Sequence, residues 1–510
     1  MGARVSTTPL APAVRRDRLL VGLAVVLLSA LALRLSTAGV QSFGDDELFT
    51  AWLVHKDFGG MLGAIPDTES TPYLYYVLAW VWARVFGFSE LGLRSLSALL
   101  GAGAAWVLYL AVARAGSRRL GVAAAALVAF NPFLVWYSQE IRAYALLLLL
   151  GAATLLGFFG ALDQDQPGPA RARWLWFWAG ASALAVATHY FALFLVGPEA
   201  LWLLWSTRSR PPDLRRGLLA VALPAIVTIA EVPLLLGQRD HLKARGGLAE
   251  GGFAQSIAAL PKQFLVGRTP PLELLVTALA AGLSLVMLVL FLRRSAGRER
   301  RVALTCLGLA IAVVAVPILM KPVAGNYLSS RNLILALLPA LVVLAAGAVT
   351  GRMGVVAAAA LCCLWLGIVV AVAANPRYQR DDWRGAAKAV GPARTDRAVV
   401  FAPGFTNTGP FRVYFKQGSL MPPAGLPVRE IDVVGLAQVG KNGVGTPEPP
   451  RDKPAPAPAG FQLAAVKYAK TYSLARYVSA QPRTIGAERL RALSFGGLYA
   501  AVVDQRPAGG

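Results

Sequence analysis

The chain has 510 residues, 56% of them hydrophobic and only 15% charged, with a net charge of +23 from 50 Lys+Arg against 27 Asp+Glu. A soluble globular protein carries roughly a quarter charged residues, so a soluble enzyme and a disordered chain are both excluded. The apolar residues gather in runs near 20 residues rather than in short alternating segments, which signals spanning helices and excludes a β-barrel.

In chain order, residues 1–18 form a basic tail with Arg15, Arg16 and Arg18, placed on the cytoplasmic side. The apolar run Leu19 to Leu35 is long and reads as a retained signal-anchor helix. A first outer loop, 37–90, follows. Its stretch Pro72 to Phe86 is rich in Tyr and Trp and short for a span, so it is predicted to lie in the interface. With that choice, the arginine clusters between later runs all fall inside. Spans are then expected at about 91–113, 120–136 and 143–161, as a tight pair within 174–206, and at about 214–236, 272–292, 302–320, 333–350 and 354–374. Asn131-Pro132 marks a kink, and WLWFW at 174–178 an interface anchor.

After residue 375 the composition changes: apolar runs shorten and charge rises. The tail, 376–510, is long enough for one small domain and falls outside. VVFAPGF and FRVYF read as strands, WRGAAKAV as a short amphipathic helix, and 446–458 as a Pro-rich loop. The expected fold class is an all-α polytopic membrane protein with about eleven spans over 19–375 and a small extracytoplasmic α/β domain at the C-terminus. The basic excess reads as topology and contact with anionic lipid, not as a nucleic-acid footprint.

The three cysteines, Cys306, Cys362 and Cys363, sit inside apolar runs, which supports no disulfide framework. His55, His189 and His241 are the only histidines, so no Cys/His metal spacing exists. No metal site and no cofactor are expected, with a divalent ion at the carboxylates left open.

The outstanding chemistry is GDDELFT, Gly44 to Thr50, about ten residues beyond the first span. Three consecutive acids beside a membrane surface are costly to place, and a carboxylate there can act as general base on a hydroxyl. The same run also reads as a helix start, with Asp45 or Asp46 as N-cap. A second acidic patch, Asp67 to Thr71, precedes the interfacial helix, and Glu69 could share an acceptor or an ion with Asp46. Its plainer reading is again a helix start, capped by Ser70 or Thr71. Arg142 in SQEIRAY and Arg331 in NYLSSRN depart from the positive-inside pattern, and arginine grips phosphate bidentately. The plainer reading is a snorkelling arginine paired with Glu140 or with a headgroup. The loop 237–271 adds Arg239, Lys243, Arg245, Lys262 and Arg268, as a lid over the same site or merely a basic surface loop. His189 and Tyr190 at a hairpin's outer turn, together with Asp45 and Tyr327, are candidate substrate contacts.

At GDDELFTAW, TESTPYLYY, NPFLVWYSQEIRAYALL and THYFALF the sequence resembles the GT-C superfamily of membrane glycosyltransferases, in the protein O-mannosyltransferase and aminoarabinose-transferase branch (family 39-like). The resemblance covers roughly 19–375. It implies an inverting glycosyltransferase in the cell membrane that moves a sugar from a polyprenyl-phosphate donor to an extracytoplasmic glycan, lipid or protein acceptor. It puts the base on Asp46, with Glu47 beside it; the run of three acids also admits Asp45 in that place. Many members carry a basic residue or His just before the proline of the interfacial helix. This chain has Ser70-Thr71 there, which would move the phosphate contact to Arg142 or Arg331. Glu69 would orient the reacting groups. Two rival classes are a polytopic lipid or sugar transporter, which would need midplane charges and repeated halves, and a non-catalytic envelope assembly protein whose acids are simple helix caps.

Overall fold

The computed structural model describes residues 12–244, 253–324, 327–402, 409–437, 447–495 and 500–507. Among them nine helices are long and apolar enough to cross a membrane: Asp17–Ala38, Glu90–Ala115, Tyr144–Leu162, Tyr190–Thr207, Pro211–Arg239, Glu273–Arg294, Gly297–Pro322, Ser330–Ala348 and Arg352–Ala374. The chain has the make-up of a multi-pass membrane protein. Two expected spans account for the difference from about eleven. Helix Arg118–Phe130 has only 13 residues, and a separate short helix, Pro132–Tyr137, carries the run onward. Helix Gly168–Thr188 begins with Arg171 and Arg173 in its first turns, which dilutes its apolar stretch.

Apolar side chains such as Leu218, Leu219, Ile226 and Ile229 on helix Pro211–Ala244 face outward. Such a surface suits lipid rather than water. Helices Tyr144–Leu162 and Leu337–Ala348 bury most of their length. Small residues permit close approach there: a Cβ on Gly347 would lie 1.8 Å from the Met287 carbonyl oxygen of helix Glu273–Arg294.

The kink expected at Asn131-Pro132 is present, and it sets up the outer turn. Proline has no N–H, so the carbonyl four residues earlier, Val128, loses its helical partner. Arg34, fully buried in the first span, donates to the Val128 oxygen at 3.3 Å and to the Ala129 oxygen at 2.8 Å. Asn131 Oδ1 accepts from Leu134 N at 3.0 Å and starts the next helix. Gln139, in the turn that follows, donates to the Arg34 carbonyl at 2.8 Å. The turn Ser138 to Ala143 is thereby pinned to the end of the first span.

The segment expected as the first outer loop folds into three helices, Asp45–His55, Phe58–Thr68 and Leu74–Phe86. The last has 13 residues, about 20 Å, short of the roughly 30 Å of a bilayer core.

The tail carries helix Trp383–Val390 and a six-stranded mixed sheet: β1 (Arg397–Ala402), β2 (Ser419–Leu420), β3 (Leu426–Leu436), β4 (Gln462–Tyr468), β5 (Tyr472–Ile485) and β6 (Ala501–Gln505). Their order is β2-β6-β1-β3-β5-β4. β1 and β3 run parallel, and the other pairs are antiparallel. FRVYF, expected as a strand, lies instead in helix Gly409–Phe415. Its rings at i and i+4, Phe411 and Phe415, stack at 4.1 Å, a spacing that a helix provides and a strand does not. Residues 403–405 of VVFAPGF lie outside the described residues. The domain packs on the first outer segment: Phe43, Leu48 and Tyr75 share one continuous apolar cluster with Trp383, Phe401, Phe411 and Val434.

The role of Arg34 is testable. Arg34→Met should lower the thermal unfolding midpoint of the protein in detergent, because each orphaned buried carbonyl costs about 1–3 kcal/mol. An unchanged midpoint would show that the kink needs no internal donor.

Candidate active site

Helix Asp45–His55 begins at Gly44, whose N–H is held by Glu47 Oε2 at 2.9 Å. Gly44, not an aspartate, is thus the N-cap. Asp45, Asp46 and Glu47 occupy the first turn, where the helix dipole favours negative charge. Successive residues of that turn point in three directions, and each acid meets a different partner.

Glu47 turns inward and is 1% exposed. Arg94, from helix Glu90–Ala115, grips it with two parallel bonds, Nε to Oε1 at 2.8 Å and Nη2 to Oε2 at 2.6 Å. Arg380 Nε stands 3.3 Å from Oε2, and Ile141 N donates to Oε1 at 3.1 Å. The remaining Arg94 donors close on the carbonyls of Ala38, Gln41 and Ser42 at 2.7–2.8 Å. Burial alone would push the Glu47 carboxyl up, but Arg94 and Arg380 outweigh it and hold it below the usual range. Expected beside Asp46 as a reacting group, Glu47 instead ties the first outer segment to the turn that carries Arg142.

Asp45 turns toward the tail, where Trp383 Nε1 donates to its Oδ1 at 2.7 Å. Asp46 faces the remaining direction. Its Oδ2 accepts from Arg331 Nη1 at 2.6 Å, with side-chain exposures of 47% and 39%. Burial pulls the Asp46 carboxyl up, and the charges of Arg331, Arg142 and Arg268 prevail and hold it down.

Glu69 is almost wholly buried. Its Oε2 accepts from Tyr76 OH at 2.5 Å and from Arg142 Nη1. Its Oε1 is buried with no protein partner among the described residues. Burial raises the Glu69 carboxyl above the usual range against the pull of Arg142 and Tyr76, and the nearby Asp46 charge adds to the rise. Arg142 is therefore paired with Glu69, not with Glu140 as the plainer reading had it; Glu140 lies 3.5 Å from Arg380. Thr71 bonds Tyr76 OH at 2.8 Å instead of capping the interfacial helix.

His189, 3% exposed, accepts from Phe191 N at 3.3 Å. Burial, then Arg142 and Arg331, push its pKa down to about 3, so the imidazole is neutral. Tyr190 OH donates to Gln238, which in turn donates to the Thr71 carbonyl at 3.1 Å, so Tyr190 braces the acidic patch. Tyr327 packs edge-on against Phe191 at 5.6 Å.

Carboxylates from the first outer segment and arginines from two distant outer turns thus form one electrostatic cluster. Arg268 adds its field to Asp46 from the basic loop and lines a small hollow with Gln41, Trp136, Gln139 and Thr269. Lys262 pairs with Glu273 at 3.1 Å. Arg245 lies outside the described residues, as does the side chain of Lys243. No three His, Cys, Asp or Glu side chains converge as a metal-ligand set among the described residues. Sequence reasoning passed over Arg94, Arg380 and Arg34. A charge inside an apolar run, as at Arg94 and Arg34, was the available signal; Arg380 gave none.

Residues 70–235 match the family model described as dolichyl-phosphate-mannose-protein mannosyltransferase. No curated protein matches the chain. Among solved structures, the chain is similar to ArnT from Cupriavidus metallidurans bound to undecaprenyl phosphate, with 16% identity and a TM-score of 0.43 over 63% of this chain and 59% of that one. It is similar to the Archaeoglobus fulgidus oligosaccharyltransferase in complex with Zn and sulfate, with 15% identity and a TM-score of 0.43 over 72% and 55%. It is also similar to the S. cerevisiae protein O-mannosyltransferase complex bound to the sugar donor, with 18% identity and a TM-score of 0.35 over 49% and 36%. The chain therefore spans 36–59% of the length of these three proteins. The family match covers about a third of the chain and runs from Ser70, through the turn Ser138 to Ala143, as far as Leu235.

Proposed function

We propose that the protein transfers a sugar from a polyprenyl-phosphate donor to an acceptor on the extracytoplasmic side, with inversion at the anomeric carbon. The observation that carries this reading is the Asp46–Arg331 contact at 2.6 Å, with Glu69 and Arg142 in the same electrostatic cluster.

A sugar carried on a lipid phosphate already has a good leaving group. The protein then needs a base for the incoming hydroxyl and cations for the departing phosphate. Asp46 is the base: it is ionised and half-exposed. It takes the proton of the acceptor O–H as the new C–O bond forms. The anomeric C–O bond to phosphate breaks, its electron pair leaves on the polyprenyl phosphate, and Arg331 and Arg142 receive that charge. A single displacement by a base-activated hydroxyl inverts the centre. Glu69 anchors Arg142. Glu47 serves as holder, since Arg94, Arg380 and two backbone N–H groups occupy its oxygens. The termini follow the arginine distribution: the N-terminus cytoplasmic and the sheet domain extracytoplasmic.

Asp46→Asn should keep the thermal midpoint and lower transfer by roughly 10²–10⁴-fold. The assay offers a panel of undecaprenyl-phosphate hexoses and pentoses and reads release of undecaprenyl phosphate. A folded Asp46→Asn protein with full transfer removes the proposed base.

The pH profile supplies a separate check. The base works ionised, and the carboxyl of Asp46 is held below its ordinary value by Arg331 and Arg142 against burial. The acid limb of kcat/KM, which reports the free enzyme, should therefore fall below the ordinary aspartate pKa of about 3.9. A limb above about pH 5 would point to a different base.

A further inference from the structure

We propose that the lipid phosphate and the Asp46 carboxylate are alternative partners of Arg331, so that seating the donor frees the base and recharging the base expels the product. The inference rests on the phosphate-binding role given to Arg331 above.

The two arginines of the cluster are not equivalent. Arg142 is 9% exposed, and its partner Glu69, at 1%, is also held by Tyr76. Separating that pair would strand a buried charge, a heavy cost. The Arg331–Asp46 pair stands at 39% and 47% side-chain exposure, so parting it strands far less buried charge than parting Arg142 from Glu69. Arg331 is therefore the exchangeable cation and Arg142 the fixed one. An arginine presents its donors as one planar fork, and a carboxylate and a phosphate compete for the same edge.

The exchange follows the charges through a turnover. The donor is a phosphodiester with one negative charge. On reaching Arg331 it displaces Asp46, whose oxygens then face the acceptor hydroxyl without a cation holding their electrons. During transfer the acceptor proton moves to Asp46, which becomes neutral, while the leaving polyprenyl phosphate gains the electron pair and binds Arg331 more strongly. Base and leaving group thus cease to compete at the moment when the phosphate needs the cation most. When Asp46 returns its proton to water, its charge competes again for Arg331 and loosens the product. The donor must bind before the acceptor can be activated.

Undecaprenyl phosphate, the product-like ligand, is the probe, and its affinity for the full-length protein in detergent is read by native mass spectrometry. Asp46→Asn should bind it about two- to fivefold more tightly than the parent, because no carboxylate then competes for Arg331. Asp46→Ala should agree in direction, which guards against a folding artefact in either variant. Asp45→Asn removes a neighbouring charge that Trp383 engages and should shift affinity by less. Arg331→Ala should lose about tenfold or more. If Asp46→Asn and Asp46→Ala bind no more tightly than the parent while Arg331→Ala loses binding, the exchange is overturned and the phosphate site stands. If Arg331→Ala binds as well as the parent, the phosphate site itself is overturned, and the exchange with it.

Discussion

One buried carboxylate organises the charged cluster. Glu47 collects two bonds from Arg94, a close approach from Arg380, and the backbone N–H groups of Gly44 and Ile141. These partners come from the first outer segment, from the following span, from the kinked outer turn, and from the stretch after the last span. A carboxylate has about four lone-pair directions, and here they are taken up by four separate parts of the chain. A buried ion pair is a weak source of net stability, because desolvation offsets attraction. Its strength lies in geometry: removing one partner leaves an uncompensated charge. Glu47 thereby fixes the direction of the helix turn on which Asp46 stands, and through Ile141 it fixes the neighbour of Arg142.

The sheet domain acts on the same node from outside the bundle. Trp383 holds Asp45, Tyr414 OH accepts from Phe43 N at 2.8 Å, and Arg384 donates to the Val40 carbonyl at 2.7 Å. Apolar contact backs these bonds, since Trp383 and Phe411 share a cluster with Phe43 and Leu48. Arg380 stacks on Trp136 at 4.0 Å and donates to its carbonyl at 3.0 Å, so the turn and the tail are joined. A helix turn of only three acids would fray in water. Between two packed layers it becomes a fixed platform.

How far the sequence disclosed this follows from the range over which each signal acts. Apolar runs are local, so the polytopic class, the kink at Asn131-Pro132 and the short helix Leu74–Phe86 were legible. The count of runs that reach spanning length differs where a run is cut by Pro132 or diluted by Arg171 and Arg173, because length and charge dilution trade against each other. FRVYF was misread because aromatic residues favour strands in general, while the i, i+4 stacking that wins here depends on a tertiary surface. At the cluster, the charged residues could be singled out because acids and arginines are costly near a membrane. Their pairing could not. Arg142 lies two residues from Glu140 and 73 from Glu69, yet it bonds the latter. Local spacing favours the wrong partner, and only the fold brings the right one.

The distribution of charge between the two pairs bears on the proposed reaction. Two carboxylates and two guanidinium groups are close to neutral together, which is how four such groups can share one site beside a membrane without a large desolvation cost. Neutrality by itself would make the site inert, with every cation satisfied and every base quenched. The asymmetry in burial resolves this. Glu69 and Arg142 are locked by Tyr76 and by their depth, so they supply shape and a constant field. Asp46 and Arg331 remain nearer solvent, where parting them strands less buried charge. In the proposed reaction, a phosphate entering between them would change one partner of each without moving the frame, which Glu47 and the sheet domain hold in place.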